Sequence, residues 1–247
     1  MPNYRFDLIQ DSPEWLAARL GIPTASEFDR ILTPAKLQLA SASKGYMAEK
    51  LAEWMAGEPL ADFEDQPPIR GWRERGKLLE AEAVRYYEME SDCECTAVGF
   101  VTIDDGNAGA SPDRLVGELG LLEQKCPALT THVGYMLDPG SLLADYRMQV
   151  QGELWVCRDR EWCDVQSYYP GFPSVIHRAT RDEAVSAALD AHIPAFCETL
   201  ARSKALLIER YGELRRERLA DTKAAAVLEA RRAAFDSWMD SPIGGNV

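Results

Sequence analysis

The sequence predicts an α/β (α+β) domain, a central mixed β-sheet flanked by helices, with a helical tail at the C-terminus. Three observations predict it. Helix-start and helix-stop residues punctuate the chain up to about residue 88. Runs rich in β-branched and aromatic residues occupy 96–126 and 162–178. A helical pattern over 142–156 separates those two runs. Helices, strands with a helix among them, then helices again make one layered core.

Taking the elements in order, Ser12-Pro13-Glu14-Trp15 opens the first helix. Ser12 caps it, and Pro13 takes the first helical position, where its missing N–H is no loss. Gly21 ends this helix and Pro23 prevents its continuation. Thr24-Ala25-Ser26-Glu27 has the spacing of a capping box and opens a short second helix through Leu32. Met47, Leu51 and Trp54/Met55 recur at helical spacing within 43–56, and Gly57 stops that helix. The proline-containing stretch 58–70 reads as a loop, followed by a fourth helix from Trp72 to Glu88.

From Cys95 the period changes. Thr96 to Ile103 reads as a strand and Asp104-Asp105-Gly106-Asn107 as a turn. Ala110 to Val116 and Leu121 to Cys126 read as two strands of a hairpin turned by Gly117-Glu118-Leu119-Gly120, and Pro127 closes the second. Residues 142–156 are helical, and Trp162 to Tyr169 and Ser174 to Arg178 are strands. From Arg181 to Met239 the chain is Ala/Glu/Arg-rich and helical, broken near Gly212. The division expected is a domain over 1–200 and a helical extension over 201–247.

Composition narrows the function classes. Hydrophobic residues at 46% suffice for a core, and no run of eighteen apolar residues suggests a membrane span. The N-terminus lacks the basic-then-apolar layout of a signal peptide, so a cytoplasmic location is expected. The six cysteines form no C-x-x-C pair and the three histidines are scattered, which argues against a zinc site or an iron–sulfur cluster. A net charge of −13 argues against indiscriminate nucleic-acid binding. The charge is unevenly spread, however. Residues 202–235 carry nine basic against five acidic residues, and Arg70, Arg73, Arg75 and Lys77 form a second basic run. Any nucleic-acid contact is expected on such local strips.

The chemistry sits in Gly109-Ala110-Ser111-Pro112-Asp113 and Leu121-Leu122-Glu123-Gln124-Lys125-Cys126-Pro127. Strand alternation points Glu123 and Lys125 the same way and Gln124 the opposite way, and a hairpin brings Asp113 beside them. Two converging carboxylates repel unless a cation lies between them, and all-oxygen donors select a hard ion, Mg²⁺ or Mn²⁺. A neighbouring lysine can hold an attacking water or stabilise phosphoryl charge, a combination suited to phosphodiester hydrolysis. A Pro-Asp and a Glu-x-Lys are each common by chance, and the bland alternative is a salt bridge on a hairpin. Leu121, Leu122 and Cys126 around these charges imply burial, and buried charges need partners or a purpose.

Several segments, in order, give the chain a family likeness. They are Ser12-Pro13-Glu14-Trp15 with Arg19-Leu20-Gly21, Thr24-Ala25-Ser26, Gly76-x-x-x-Glu80-x-x-Ala83, the two segments above, and Tyr146-Arg147-Met148-Gln149-Val150-Gln151-Gly152 with Leu154-Trp155-Val156. Over most of residues 12–175 the chain resembles the lambda-exonuclease or YqaJ-like viral recombinase family, phage-type alkaline exonucleases of the PD-(D/E)xK nuclease superfamily.

The resemblance implies a restriction-endonuclease-like core and a Mg²⁺-dependent 5′→3′ exonuclease that resects duplex DNA ends to 3′ single strands. It implies that Asp113, Glu123 and the Gln124 carbonyl ligate metal, two ions per site, that Lys125 is catalytic, and that Glu80 is a supporting carboxylate. Arg19, Ser26 and Ser111 match residues that hold a 5′-phosphate, and Gln149 lies beside the scissile region, with Gln151 as a second candidate. A homotrimeric ring and a single-strand annealing protein as partner follow from the same likeness. Each residue also has a plain reading. Glu80 fits a solvated helix face, Arg19 a surface ion pair with Glu14, Ser26 a helix start, and the Arg70–Lys77 run a solvated face. Two rival functions remain at this stage: a structure- or sequence-selective endonuclease of the same fold, and an idle DNA-end-binding scaffold.

Overall fold

The computed structural model describes residues 1–60 and 67–212, without the side chains of 67–74 and 77. Five strands form the main sheet in the order β2 (Cys95–Thr96), β5 (Arg114–Val116), β6 (Gly120–Lys125), β7 (Trp162–Ser167) and β8 (Val175–Thr180). All neighbours are antiparallel except β6 and β7, which run parallel. A parallel pair needs a long crossover, here supplied by α4 (Leu129–Leu137) and α5 (Pro139–Val156). Strands β1 (Asn3–Arg5), β3 (Phe100–Thr102) and β4 (Gly109–Ala110) form a separate antiparallel sheet.

Strand β6 is central, and its alternation sets the site. Leu122 joins Tyr87 of α3 (Pro67–Ser91) and Val116 on one face. Leu121 joins the main core with Leu154 of α5, Val165 of β7 and Leu189 of α6 (Glu183–Tyr211) on the other. Glu123 and Lys125 share the face of Leu121, so the sheet surface that carries the core continues into the charged cluster. Each fully buried Leu there contributes roughly 1.5–3 kcal/mol, which offsets the cost of placing Glu123, Gln124 and Lys125 on the same strand.

On the core face, α5 packs closely on a 3-10 helix (Ala25–Arg30). Gly152 permits this: a Cβ there would lie 2.8 Å from the Phe28 ring and 3.0 Å from the Ala25 methyl. The first helix, α1 (Pro13–Arg19), begins as expected, with the Ser12 hydroxyl accepting from the Trp15 N–H at 3.2 Å. Helix α2 (Ser43–Ala56) ends at Gly57, whose φ of 70° is the left-handed cap expected of it.

Other expectations are corrected. The helix expected from Trp72 begins at Pro67, because Pro67 and Pro68 occupy a first turn that needs no N–H. The single strand over 96–103 is two, β2 and β3, in different sheets. The strand over 110–116 is broken by Ser111-Pro112-Asp113 into β4 and β5. The short second helix forms as a 3-10 helix over Ala25–Arg30, two residues shorter than expected, and α4 was not expected at all. At the C-terminus, α6 is capped by Asp182, runs unbroken past residues 200 and 201, and stops at Gly212 as expected. The remainder of the expected tail lies outside the described residues.

Candidate active site

Asp113 sits where the chain leaves Pro112 and enters β5, and its Oδ2 accepts the Gln124 N–H at 2.6 Å. That bond ties the two carboxylate-bearing strands together beyond the end of their ladder. Because N–H and C=O of one strand residue point the same way, the Gln124 carbonyl also faces Asp113. On the opposite side of the strand, the Lys125 carbonyl accepts the Tyr168 N–H at 2.8 Å. The Gln124 side chain turns to the α3 face, donating to Gln166 Oε1 at 2.7 Å.

Glu123 is only 3% exposed. Its Oε1 accepts from Lys125 Nζ at 2.5 Å and from Gln149 Nε2 at 2.5 Å. Its Oε2 is buried with no hydrogen-bond partner. Gln149 stands on α5 directly over β6, its Oε1 accepting from Lys125 Nζ at 3.2 Å and its Nε2 also reaching Glu153 Oε1 at 3.1 Å. Lys125 Nζ lies 4.5 Å from the centre of the Tyr146 ring.

The electrostatics are those of a site short of positive charge. Burial, then the neighbouring Glu123 charge, pushes the Asp113 carboxyl well above the usual carboxylate range, although Lys125 and the Gln124 N–H pull the other way. Glu153, on the inner side of the cluster, is raised for the same two reasons. Burial alone would lower the Lys125 pKa, but the Glu123 and Asp113 carboxylates outweigh it and hold the lysine charged. A divalent cation fits this arrangement. It would meet Asp113, the orphaned Glu123 Oε2 and the Gln124 carbonyl, oxygen donors throughout, as Mg²⁺ or Mn²⁺ prefers. Among the described residues no three His, Cys, Asp or Glu side chains converge on one point, so water and substrate would complete such a shell, the usual arrangement for Mg²⁺.

Glu80 reaches the rim from α3 and pairs with Arg114, its Oε1 2.9 Å from the guanidinium, while Arg114 also donates to the Asp113 carbonyl. Arg114 was missed by sequence reasoning, since a lone arginine beside an aspartate carries no signal.

The second expected cluster also assembles. Arg19 stacks on the Trp15 ring at 4.0 Å, with long contacts of 3.4 Å to the hydroxyls of Ser111 and Thr24. The Ser26 hydroxyl lies 3.3 Å from that of Thr24, and Trp15 Nε1 donates to Ser111 Oγ at 3.1 Å. Arg19 forms no salt bridge among the described residues, and in particular none with Glu14. Burial lowers its pKa, an effect partly countered by Tyr46 and Glu27. Thr24 and Trp15 are the residues that sequence reasoning left out of this pocket.

Two expectations do not join either cluster. Gln151 points away from Gln149, donating to the Thr180 carbonyl at 2.8 Å and accepting the Asp182 N–H at 2.8 Å, so it ties α5 to β8 and the cap of α6. Arg75 braces the end of β6, donating to the carbonyls of Cys126 and Pro127 at 3.2 Å and lying over the Tyr169 ring. The side chains of Arg70, Arg73 and Lys77 lie outside the described residues.

The alkaline exonuclease LHK-Exo from Laribacter hongkongensis superposes with a TM-score of 0.69 at 32% identity, over 82% of this chain and 100% of that one. Its complex with dAMP gives 0.69 at 31%, with the same coverage. A phage related exonuclease from Haemophilus somnus gives 0.59 at 13% identity, over 75% of this chain and 96% of that one, a likeness of fold alone. No curated protein sequence matches. The fold is that of the restriction-endonuclease-like alkaline exonucleases. The family model of the YqaJ-like viral recombinase domain matches residues 14–160, which span both clusters, and the chain belongs to that family.

Proposed function

We propose that this protein is a Mg²⁺-dependent exonuclease that degrades linear duplex DNA 5′→3′, releasing mononucleotides and leaving a 3′ single strand. The observation that carries the reading is the Asp113/Glu123/Lys125 cluster, with a buried carboxylate oxygen left without a partner. Family membership and the likeness to an alkaline exonuclease support DNA as the substrate.

A divalent cation bound here, Mg²⁺ or Mn²⁺ and two per site by family likeness, would supply Lewis-acid neutralisation of phosphoryl charge. The chain's own residues do the rest. Lys125 Nζ, held charged by Glu123, stabilises charge developing on the scissile phosphate and orients the attacking water. Gln149 keeps Lys125 and Glu123 in register from above. Glu80 stands at the rim as a further acceptor once Arg114 turns to substrate. Arg19, with the Ser26 and Ser111 hydroxyls, receives the terminal 5′-phosphate, which is a compact dianion suited to a planar fork of donors. Ser111 and Asp113 are two residues apart, so end recognition and hydrolysis share one segment of backbone.

The same reading includes a homotrimeric ring around DNA and a single-strand annealing protein as partner. A net charge of −13 accords with an acidic outer surface around local basic strips. A cytoplasmic setting belongs to the reading as well, and among the described residues no helix is long and apolar enough to cross a membrane. The test is to incubate linear and covalently closed circular duplex with the protein in Mg²⁺ and in EDTA. Loss of the linear form alone, in Mg²⁺ alone, is expected. Cutting of the closed circle would identify an endonuclease instead.

A further inference from the structure

The cluster contains a further carboxyl to which the roles described above for hydrolysis and end recognition assign nothing. Glu153 lies one turn beyond Gln149 on α5 and is 1% exposed. Its Oε1 accepts from Gln149 Nε2 at 3.1 Å, its Oε2 meets the Cys163 thiol 3.9 Å away, and the Glu123 carboxylate is a close neighbour. Burying a carboxyl beside a second carboxylate is costly, so the position needs a reason.

The geometry of Gln149 supplies one. A primary amide has two N–H donors at one end and a carbonyl at the other. Here both N–H groups find acceptors, Glu123 Oε1 at 2.5 Å and Glu153 Oε1 at 3.1 Å. The carbonyl is thereby turned to Lys125 Nζ at 3.2 Å. Without Glu153 the second N–H would be unsatisfied, and the amide could rotate to present its N–H₂ to the lysine. We propose that Glu153 is a positioning residue that fixes the Gln149 amide, and through it the Lys125 ammonium, in the orientation hydrolysis uses. The inference rests on the exonuclease reading for its kinetic consequence, but the orientation of the amide can be measured without it. In the sequence, the signal is the Gln149-x-x-x-Glu153 spacing, which places both side chains on one face of a helix.

The experiment compares Glu153→Gln, which retains an acceptor oxygen at the same reach, with Glu153→Met, which has no oxygen, and Glu153→Ser, whose hydroxyl is too short to reach Gln149, using the full chain. In the Ser and Met variants kcat on linear duplex should fall about tenfold with KM changed by less than about twofold, because a displaced ammonium affects the reacting phosphate more than DNA binding. Glu153→Gln should stay within about threefold of the parent. In a Gln149→Ala background, adding Glu153→Ser should change kcat by less than about twofold, since the residue it positions is gone. Independently, the Gln149 side-chain NH₂ resonances of ¹⁵N-labelled protein should exchange slowly with solvent in the parent and in Glu153→Gln, and quickly in Glu153→Ser. Equal exchange in all three, or a tenfold loss that persists in the Gln149→Ala background, would overturn the inference. If the parent cuts no DNA while the exchange pattern holds, the exonuclease reading fails and the positioning role stands.

Discussion

Replacing Arg19 by alanine should remove most of the protein's preference for phosphorylated 5′ ends. In the free protein the guanidinium has a stacking partner, Trp15 at 4.0 Å, but its polar contacts are two hydroxyls at 3.4 Å, near the limit of a hydrogen bond. No carboxylate forms a salt bridge with it among the described residues, so its donors await a stronger acceptor. A terminal phosphate would supply charge-assisted bonds worth roughly 1.5–3 kcal/mol. At about 1.4 kcal/mol per tenfold, this corresponds to a factor of roughly 10 to 150. Initial rates on the same duplex with 5′-phosphate and 5′-hydroxyl ends give the ratio for each protein. Arg19→Ala should lower that ratio by the stated factor, and Arg19→Lys by less than that, since a lysine keeps the charge but not the planar fork. A half-buried charge without a salt-bridge partner contributes little to folding, so the thermal midpoint of Arg19→Ala should not fall appreciably. An unchanged ratio would refute the assignment, leaving Arg19 as a residue that merely packs on Trp15.

Three further outcomes are expected. Asp113→Asn keeps an oxygen for the Gln124 N–H but removes a charge from the crowded carboxylates, so the metal-free variant should melt no lower than the parent. Mg²⁺ at about 100 times its Kd should stabilise the parent by about 2.7 kcal/mol and the variant hardly at all, which differential scanning calorimetry can test. Lys125→Ala should lower the rate of DNA hydrolysis by roughly 10²–10³ while the Mg²⁺-induced shift in melting persists; a near-normal rate in steady-state assays would remove Lys125 from the mechanism. His132 is buried, bonded through Nδ1 to Ser167 Oγ at 2.8 Å and through Nε2 to the Pro173 carbonyl at 3.1 Å. Burial lowers its pKa from the usual 6.5. The unfolded chain therefore binds the proton more readily, and the stability His132 contributes is present above about pH 6.5 and lost as pH falls through the folded value. Urea midpoints between about pH 5 and 7 should fall more steeply for the parent than for His132→Gln, and parallel curves would contradict this.

The parts of the fold legible in the sequence are those fixed by local chemistry. Ser12-Pro13 and Gly57 marked helix ends because capping and left-handed backbone depend on the residue itself. The pairing of Glu123 with Lys125 followed from strand alternation, and Asp113 from the hairpin that returns to them. What stayed hidden depends on distant packing. Helix α4 carries the poor helix formers Thr130, Thr131, Val133 and Gly134 in its first two turns and is held by buried His132 and Tyr135. The split of 96–103 reflects pairing to two different partners, β5 and β1, which no local pattern records. Among site residues, Gln149 and Gln151 look alike in the sequence, and only the rotation of α5 turns one to Lys125 and the other to Thr180. Arg114 and Glu153 escaped notice because their roles exist only relative to Glu80 and Gln149.

The central claim is that one site joins metal-dependent hydrolysis to capture of a 5′-phosphorylated end. The most direct test uses linear duplex carrying different labels at the 5′ and 3′ ends of one strand, incubated with the protein in Mg²⁺ and analysed for released products over time. Early release of the 5′ label as a mononucleotide, with the 3′ label retained in a shortening strand, is the expected result. Early release of the 3′ label, or of oligonucleotides from the interior, would contradict the account.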